Sequence, residues 1–184
     1  MEIFRHDNID STSSECFRKF DRGDILPFAV IAKTQAQGRG QFGRTWYSAD
    51  GQNLYVSFGF VPRQTPQQFQ NFSTIVAENL VECLANKLNM ALQVKPPNDI
   101  YCAGKKVCGI LTESRILHGR IIFAVTGIGL NVAGDLSKFP KELRSKATTL
   151  GEHCKKIISP AEIEAYVLLL MQQLMEKYKF LEKI

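Results

Sequence analysis

From residue 91 to residue 130 the chain sets four strand-like segments in a row, and this run limits its fold more than anything else in it. Residues 91–95, 100–102, 106–115 and 121–130 each have the length and apolar content of a strand. The gaps carry Pro-Pro-Asn-Asp, Ala-Gly and His-Gly. Such tight turns predict antiparallel pairing of consecutive strands.

The rest of the chain adds helices and two more strands. Ser11-Thr12-Ser13-Ser14-Glu15 reads as a helix start, after which Cys16, Phe17 and Phe20 share one face. Residues 28–32 form a short buried strand, and residues 33–44 read as a polar, glycine-rich mobile loop. Leu54, Val56, Phe58 and Phe60 alternate with Tyr55, Ser57 and Gly59, as a strand requires. One long helix is predicted over residues 66–87, and a second from the Ser159-Pro160 cap to the end. The pattern is α+β: a mixed or antiparallel sheet with helices on one face. Strands and helices do not alternate regularly, which argues against a doubly wound parallel sheet. The 184 residues fit one domain, 1–184, without internal repeats.

Composition excludes several classes. A hydrophobic content of 45% is that of a globular protein. No apolar run reaches the roughly 18 residues of a membrane span, and the N-terminus shows no secretion signal. The five cysteines, Cys16, Cys83, Cys102, Cys108 and Cys154, have no CxxC spacing. They fit packing groups in a reducing cytoplasm better than a zinc site. The net charge of +5 is modest and favours acidic partners.

Two segments carry chemistry. Gly38, Gly40 and Gly43 satisfy G-x-G-x-x-G, but the next residues, Arg44-Thr45-Trp46-Tyr47-Ser48, favour strand or loop. No acid lies about twenty positions on, so a dinucleotide fold is not indicated. Glycines still let backbone N–H groups approach an anion, and Arg39 and Arg44 can grip carboxylate or phosphate. Gln35 can bond a polar ligand group. Trp46, the only tryptophan, either stacks on a purine, covers a pocket or packs. The loop is either an anion site or a flexible basic surface.

In the second segment, Pro96-Pro97-Asn98-Asp99 makes a turn, and Asn98 and Asp99 either build it or serve a ligand. In the latter case Asp99 holds Mg²⁺ or orients an amine, and Asn98 bonds a phosphate or ribose. Lys106 opens the apolar strand Val107-Cys108-Gly109-Ile110-Leu111, pointing either to solvent or into a pocket. Gly109, and Gly127-Ile128-Gly129-Leu130-Asn131 on the next strand, leave either a slot for a flat ring or thin acyl chain, or a pair of bulges.

In order, these residues resemble the motifs of the biotin protein ligase catalytic domain: Gly38 to Trp46, Asn53-Leu54-Tyr55, Lys95 to Asp99, Lys106 to Leu111, and Gly127 to Asn131. Ser11-Thr12 matches the Ser-Thr of that family's first helix. The resemblance spans about residues 8–150. It implies the biotin–lipoate ligase catalytic fold, akin to class II aminoacyl-tRNA synthetases. It also implies a two-step reaction with biotin, ATP and Mg²⁺. Biotinyl-5′-AMP forms first, and the acyl group then passes to a lysine of a biotin carboxyl carrier domain.

The resemblance assigns catalytic roles to Lys106, Arg39 and, as acceptor-side carboxylate, Asp99. It places Ser11, Thr12, Gln35, Gly38, Arg39, Lys106 and Gly109 around biotin. Gln41, Arg44, Trp46, Asn98, Lys106 and Asn131 fall on the adenylate side. No protein metal site is implied. Three positions depart from the pattern. Gln41 replaces an arginine that helps retain the adenylate, which implies loose retention. Pro96 replaces a tryptophan, and Ser13 an asparagine. Neither the N-terminal helix-turn-helix nor the C-terminal β-barrel of some relatives is expected, so DNA and a membrane are not expected partners. The resemblance leaves a homodimer open, since relatives often pair through their sheets. Competing readings are a lipoate or octanoate ligase or transferase, and a non-catalytic biotin- or nucleic-acid-binding module.

Overall fold

The computed structural model describes residues 1–49 and 52–178. Its strands are β1 (Glu2–Ile9), β2 (Phe28–Gln35), β3 (Leu54–Phe60), β4 (Leu92–Lys95), β5 (Asp99–Cys102), β6 (Lys105–Leu117) and β7 (Arg120–Leu130). They form one seven-stranded sheet in the order β1-β2-β3-β7-β6-β5-β4. Strands β4 to β7 pair antiparallel in succession, as their short turns dictate. Only β1 and β2 pair parallel among the described strands, so the sheet is mixed. As an edge strand with mostly exposed residues, β1 lacks the apolar alternation that would reveal it in sequence.

The helices are α1 (Thr12–Arg22), α2 (Pro66–Phe69), α3 (Phe72–Leu88), α4 (Lys141–Arg144) and α5 (Pro160–Lys177). The helix expected over residues 66–87 is therefore two helices. Thr65 and Gln68 form a capping box on the first, and Asn71 stands at the N-cap position of the second without a side-chain capping bond. Across the break, Phe69 and Phe72 stack at 4.9 Å and stay buried. The last helix starts at Pro160 as expected; residues 179–184 of that expectation lie outside the described residues.

Helices on one face describes α3 and α5 but not α1. Alternation along the strands separates two cores. Ala29, Ile31, Val56, Phe58, Ala124 and Ile128 meet α3 and α5. Phe28, Val30, Phe123 and Val125 meet Cys16, Phe17 and Phe20 of α1 on the opposite face. Phe20 stacks on Phe123 at 4.2 Å. A short amphipathic helix needs only one small apolar patch to dock, and its sequence does not say on which side. This α1 face is the one that carries the site.

Candidate active site

The site begins where side chains stop. Along the α1 face of β7, Phe123 and Val125 give way to Gly127 and Gly129. Gly109 of β6 pairs with Gly129 across the ladder. A Cβ on Gly129 would stand 2.5 Å from the Trp46 ring, and one on Gly109 2.7 Å from it. The indole therefore lies against bare backbone. The glycines are a slot and not bulges, because the register shifts of these strands fall at Ile100/Tyr101 and Arg115/Ile116. One flat ring that fits the slot is the protein's own.

Lys106 sits over this slot. Its N–H donates to Lys146 O, and its carbonyl accepts from Thr148 N, so its backbone is held from outside the sheet. The ammonium lies 2.7 Å from Asp99 Oδ1 and 5.3 Å from the Trp46 ring centre. Asp99 reaches it because β5 places Asp99 opposite Gly109. Of the two readings of Lys106, the pocket is the one observed.

At the other end, the N-terminus of α1 supplies a hydroxyl cluster. Ser11 caps the helix. Thr12 Oγ1 lies 2.7 Å from Ser57 Oγ, and Ser13 Oγ lies 3.0 Å from the same atom. Gln35 Oε1 accepts from Thr12 N at 2.8 Å and Thr12 Oγ1 at 3.1 Å. Gln35 can do so because β2 extends past its apolar run, so the predicted loop begins later than residue 33. Between this cluster and Lys106 opens a cavity of about 550 Å³, the size of an ordinary small-molecule site.

The glycine loop forms the outer wall. An Arg39–Thr45 bridge and the bond from Trp46 N to Gly38 O close it on itself. Phe42 and Gly43, both at positive φ, turn its tip, and Phe42 is 89% exposed. Arg39 pairs with Glu113 of β6 and donates to Ser14 Oγ at 3.3 Å. Arg44 is exposed at the rim.

Thus Ser11, Thr12, Gln35, Arg39, Gln41, Arg44, Trp46, Asn98, Asp99, Lys106, Gly109 and Asn131 all border one cavity. Gly38 does not. It faces a second space of about 730 Å³ outside the loop, and a Cβ there would stand 2.5 Å from Trp46 O. Its place is thus in shaping the loop. Asn98 lies in the turn and ties it to β6: Nδ2 donates to Ile110 O at 2.8 Å, while its backbone carbonyl accepts from Ile110 N. It also borders the cavity. Asn131 is buried, donates Nδ2 to Thr148 O, and keeps Oδ1 without a partner.

Sequence reading passed over Ser57, Glu113 and Lys146. Ser57 had a signal, since it is a hydroxyl on the face opposite Val56 and Phe58. Lys146 had none, because only the bridge of residue 147 to Lys106 brings it to the rim. The cysteines take no part: all five are free, and burial pushes the Cys16 and Cys108 thiols well up.

Comparison with known proteins places this geometry. Bifunctional ligase/repressor BirA of Bacillus subtilis is 29% identical over 97% of this chain and 55% of its own length. The biotin–[acetyl-CoA-carboxylase] ligase of Paracoccus denitrificans is 33% identical over 68% of this chain and 52% of its own. The chain thus spans about half the length of the curated relatives it matches. A solved biotin protein ligase from Aquifex aeolicus, in complex with biotin and ATP, has a TM-score of 0.76 at 29% identity, covering 97% of this chain and 72% of that one. A model of the Biotin/lipoate A/B protein ligase family matches residues 20–131, which include the glycine loop, Lys106 and the glycine pair. By that match and this site, the chain belongs to the biotin/lipoate A/B protein ligase family.

Proposed function

We propose that the chain joins biotin to AMP and passes the biotinyl group to a lysine of a biotin carboxyl carrier domain. The observation that carries the proposal is the place of Lys106, whose ammonium lies between a buried hydroxyl–amide cluster and a basic rim. A biotin ureido group offers two N–H donors and a carbonyl. Thr12, Ser13, Gln35 and Ser57 supply matching acceptors and hydroxyl donors. A dithiolane or plain alkyl chain would cover this cluster without bonding to it and strip it of water, which costs affinity. This favours biotin over lipoate or octanoate.

In the first step a carboxylate oxygen attacks the α-phosphorus, the bond to the β-phosphate oxygen breaks, and pyrophosphate leaves. No base is needed. What is needed is two anions held together and their charge offset. Lys106 turns from Asp99 to bridge them, while Arg39 closes over the acid and Arg44 meets phosphate. Trp46, Asn98 and Asn131 border the nucleotide, with the unpartnered Asn131 Oδ1 suited to an amino donor. Mg²⁺ enters with ATP as part of that substrate. Among the described residues, no three His, Cys, Asp or Glu side chains cluster as a metal site.

In the second step the acceptor amine attacks the acyl carbon, AMP leaves, and the amine loses a proton. Asp99, relieved of Lys106, orients that amine and takes the proton. A second copy would pair through open sheet edges: β1, β4, and β6 beyond Gly109, where β5 no longer pairs. The free cysteines fit a cytoplasmic setting. No described helix is long and apolar enough to cross a membrane.

The test is exchange of labelled pyrophosphate into ATP with biotin, lipoate or octanoate, with Lys106→Ala as control. Exchange with biotin alone, lost in the variant, supports the proposal. Folded protein with no exchange, or exchange with lipoate or octanoate instead, overturns it.

A further inference from the structure

From the contact between the glycine loop and β6 we infer that Glu113 is a positioning residue: it holds the Arg39 guanidinium across the cavity mouth and so sets affinity for the acid substrate. The inference rests on the biotin-ligase reading only for the name of that acid.

The loop touches the sheet through few groups. Arg39 borders both the inner cavity with Lys106 and the outer space beyond the loop, so its side chain stands between them. From the outer side Glu113 pairs with Nη2, and from the helix side Ser14 Oγ accepts from Nη1 at 3.3 Å. Both partners sit on rigid elements. Glu113 is paired with Val125 in the middle of the β6–β7 ladder, and Ser14 is in the first turn of α1. Ala36 and Gln37 tie the start of the loop to Ile9 O and Asp10 O, and Tyr47 ties its end to Lys138 O, while the backbone bonds recorded from Gly38 to Trp46 close on the loop itself, at Arg39–Thr45, Gly40–Arg44 and Gly38–Trp46. An arginine on such a loop would otherwise sample many rotamers, and ordering it would be charged to ligand binding.

A guanidinium has five donors on two usable edges, so it can bond Glu113 and a ligand anion together. The weaker Ser14 contact is the one that a ligand carboxylate would displace. Glu113 Oε2 is buried without a partner, so this carboxylate depends on Arg39 for its neutralisation. The pair is less than half exposed, at 41% and 27%, so water screens it only in part.

Glu113→Gln keeps shape and removes the charge. Two readouts are made, of which only one needs catalysis. In protein without ligands, trypsin cleavage after Arg39 and Arg44 is expected to speed up at least fivefold, with Trp46 emission shifting as the loop loosens. In pyrophosphate exchange, KM for biotin is expected to rise about tenfold while kcat stays within about threefold. Glu113→Asp, which keeps the charge, should recover part of both. In a cycle with Arg39→Ala, the second substitution should add nothing further to KM.

Unchanged cleavage and emission in Glu113→Gln, with melting unchanged, would overturn the inference. So would additive effects with Arg39→Ala. If Glu113→Gln proves unfolded, Glu113→Asp and Ser14→Ala carry the proteolysis arm, and wild-type cleavage rates in both would overturn it as well. Should wild-type protein exchange with no acid, the functional reading fails, while cleavage still decides the ion pair.

Discussion

Lys106 and Asp99 form an ion pair at 2.7 Å on the floor of the cavity, on adjacent strands and under the face of Trp46. The pair is one-third exposed or less, so neither charge is strongly shielded. On the proposed reaction, the ammonium that would meet two anions lies beforehand against a carboxylate of the protein. Binding would then be an exchange of partners and not the filling of an unpaired charge.

Asp99→Asn should therefore weaken both half-reactions. Lys106 loses the charge that faces it, and a partly exposed ion pair is worth about 1 kcal/mol, so exchange should fall about fivefold. Transfer from preformed biotinyl-5′-AMP, followed in single turnover, should fall further, because the amine loses its acceptor too. Wild-type exchange in Asp99→Asn would show that Lys106 needs no such holder.

Thr12→Val conserves shape and deletes the central hydroxyl of the cluster. The bonds to Ser57 Oγ and Gln35 Oε1 go with it. One lost neutral contact and a partly unsatisfied neighbour cost about 1–3 kcal/mol. KM for biotin should rise about tenfold, and titration calorimetry should show the same loss without ATP. An unchanged dissociation constant would move the ureido group away from α1.

Gly129→Ala puts a carbon where the indole already lies. Trp46 must move or the strands must part, and such overpacking costs about 1–3 kcal/mol. A lower melting temperature and a shifted Trp46 emission are expected together. Ser57→Ala, which adds no volume, should leave emission alone.

Acid stability should show the Asp10–Arg18 pair. The Arg18 guanidinium bonds both Asp10 oxygens, at 2.7 and 2.8 Å, and with help from the Ser11 N–H holds that carboxyl down to about 2. A depressed carboxyl stabilises the fold above its unfolded value, near 3.9, and that stability is lost as pH falls through about 2. Asp10 is over a third exposed, so the effect stays below about 1 kcal/mol. Urea midpoints of wild type and Asp10→Asn should differ at pH 6 and converge near pH 2.

Much of the site was legible because its motifs are contiguous. A glycine loop, a Pro-Pro-Asn-Asp turn and glycines on neighbouring strands each declare themselves within a few residues. The four-strand run declared itself through its turns. What stayed hidden depends on distant packing. Glu113 acquires meaning only when β6 passes under Arg39, 74 positions earlier in the chain. Lys146 reaches the rim through a bridge of residue 147 to Lys106. The side on which α1 docks, the break at Asn71 and the edge strand β1 depend on tertiary contacts that local periodicity does not encode.

The wall at Gly109, Gly127 and Gly129 is drawn in hydrogens, and that makes it a one-way feature in mutational terms. Any amino-acid replacement of a glycine adds at least one carbon, so no conservative drift is open at these three positions. The polar cluster can exchange a serine for a threonine and keep its character. The glycine wall can only lose space by its own substitution, and a lineage that fills it must revert or give up the Trp46, Ser13 or Ser57 side chain that faces the added carbon.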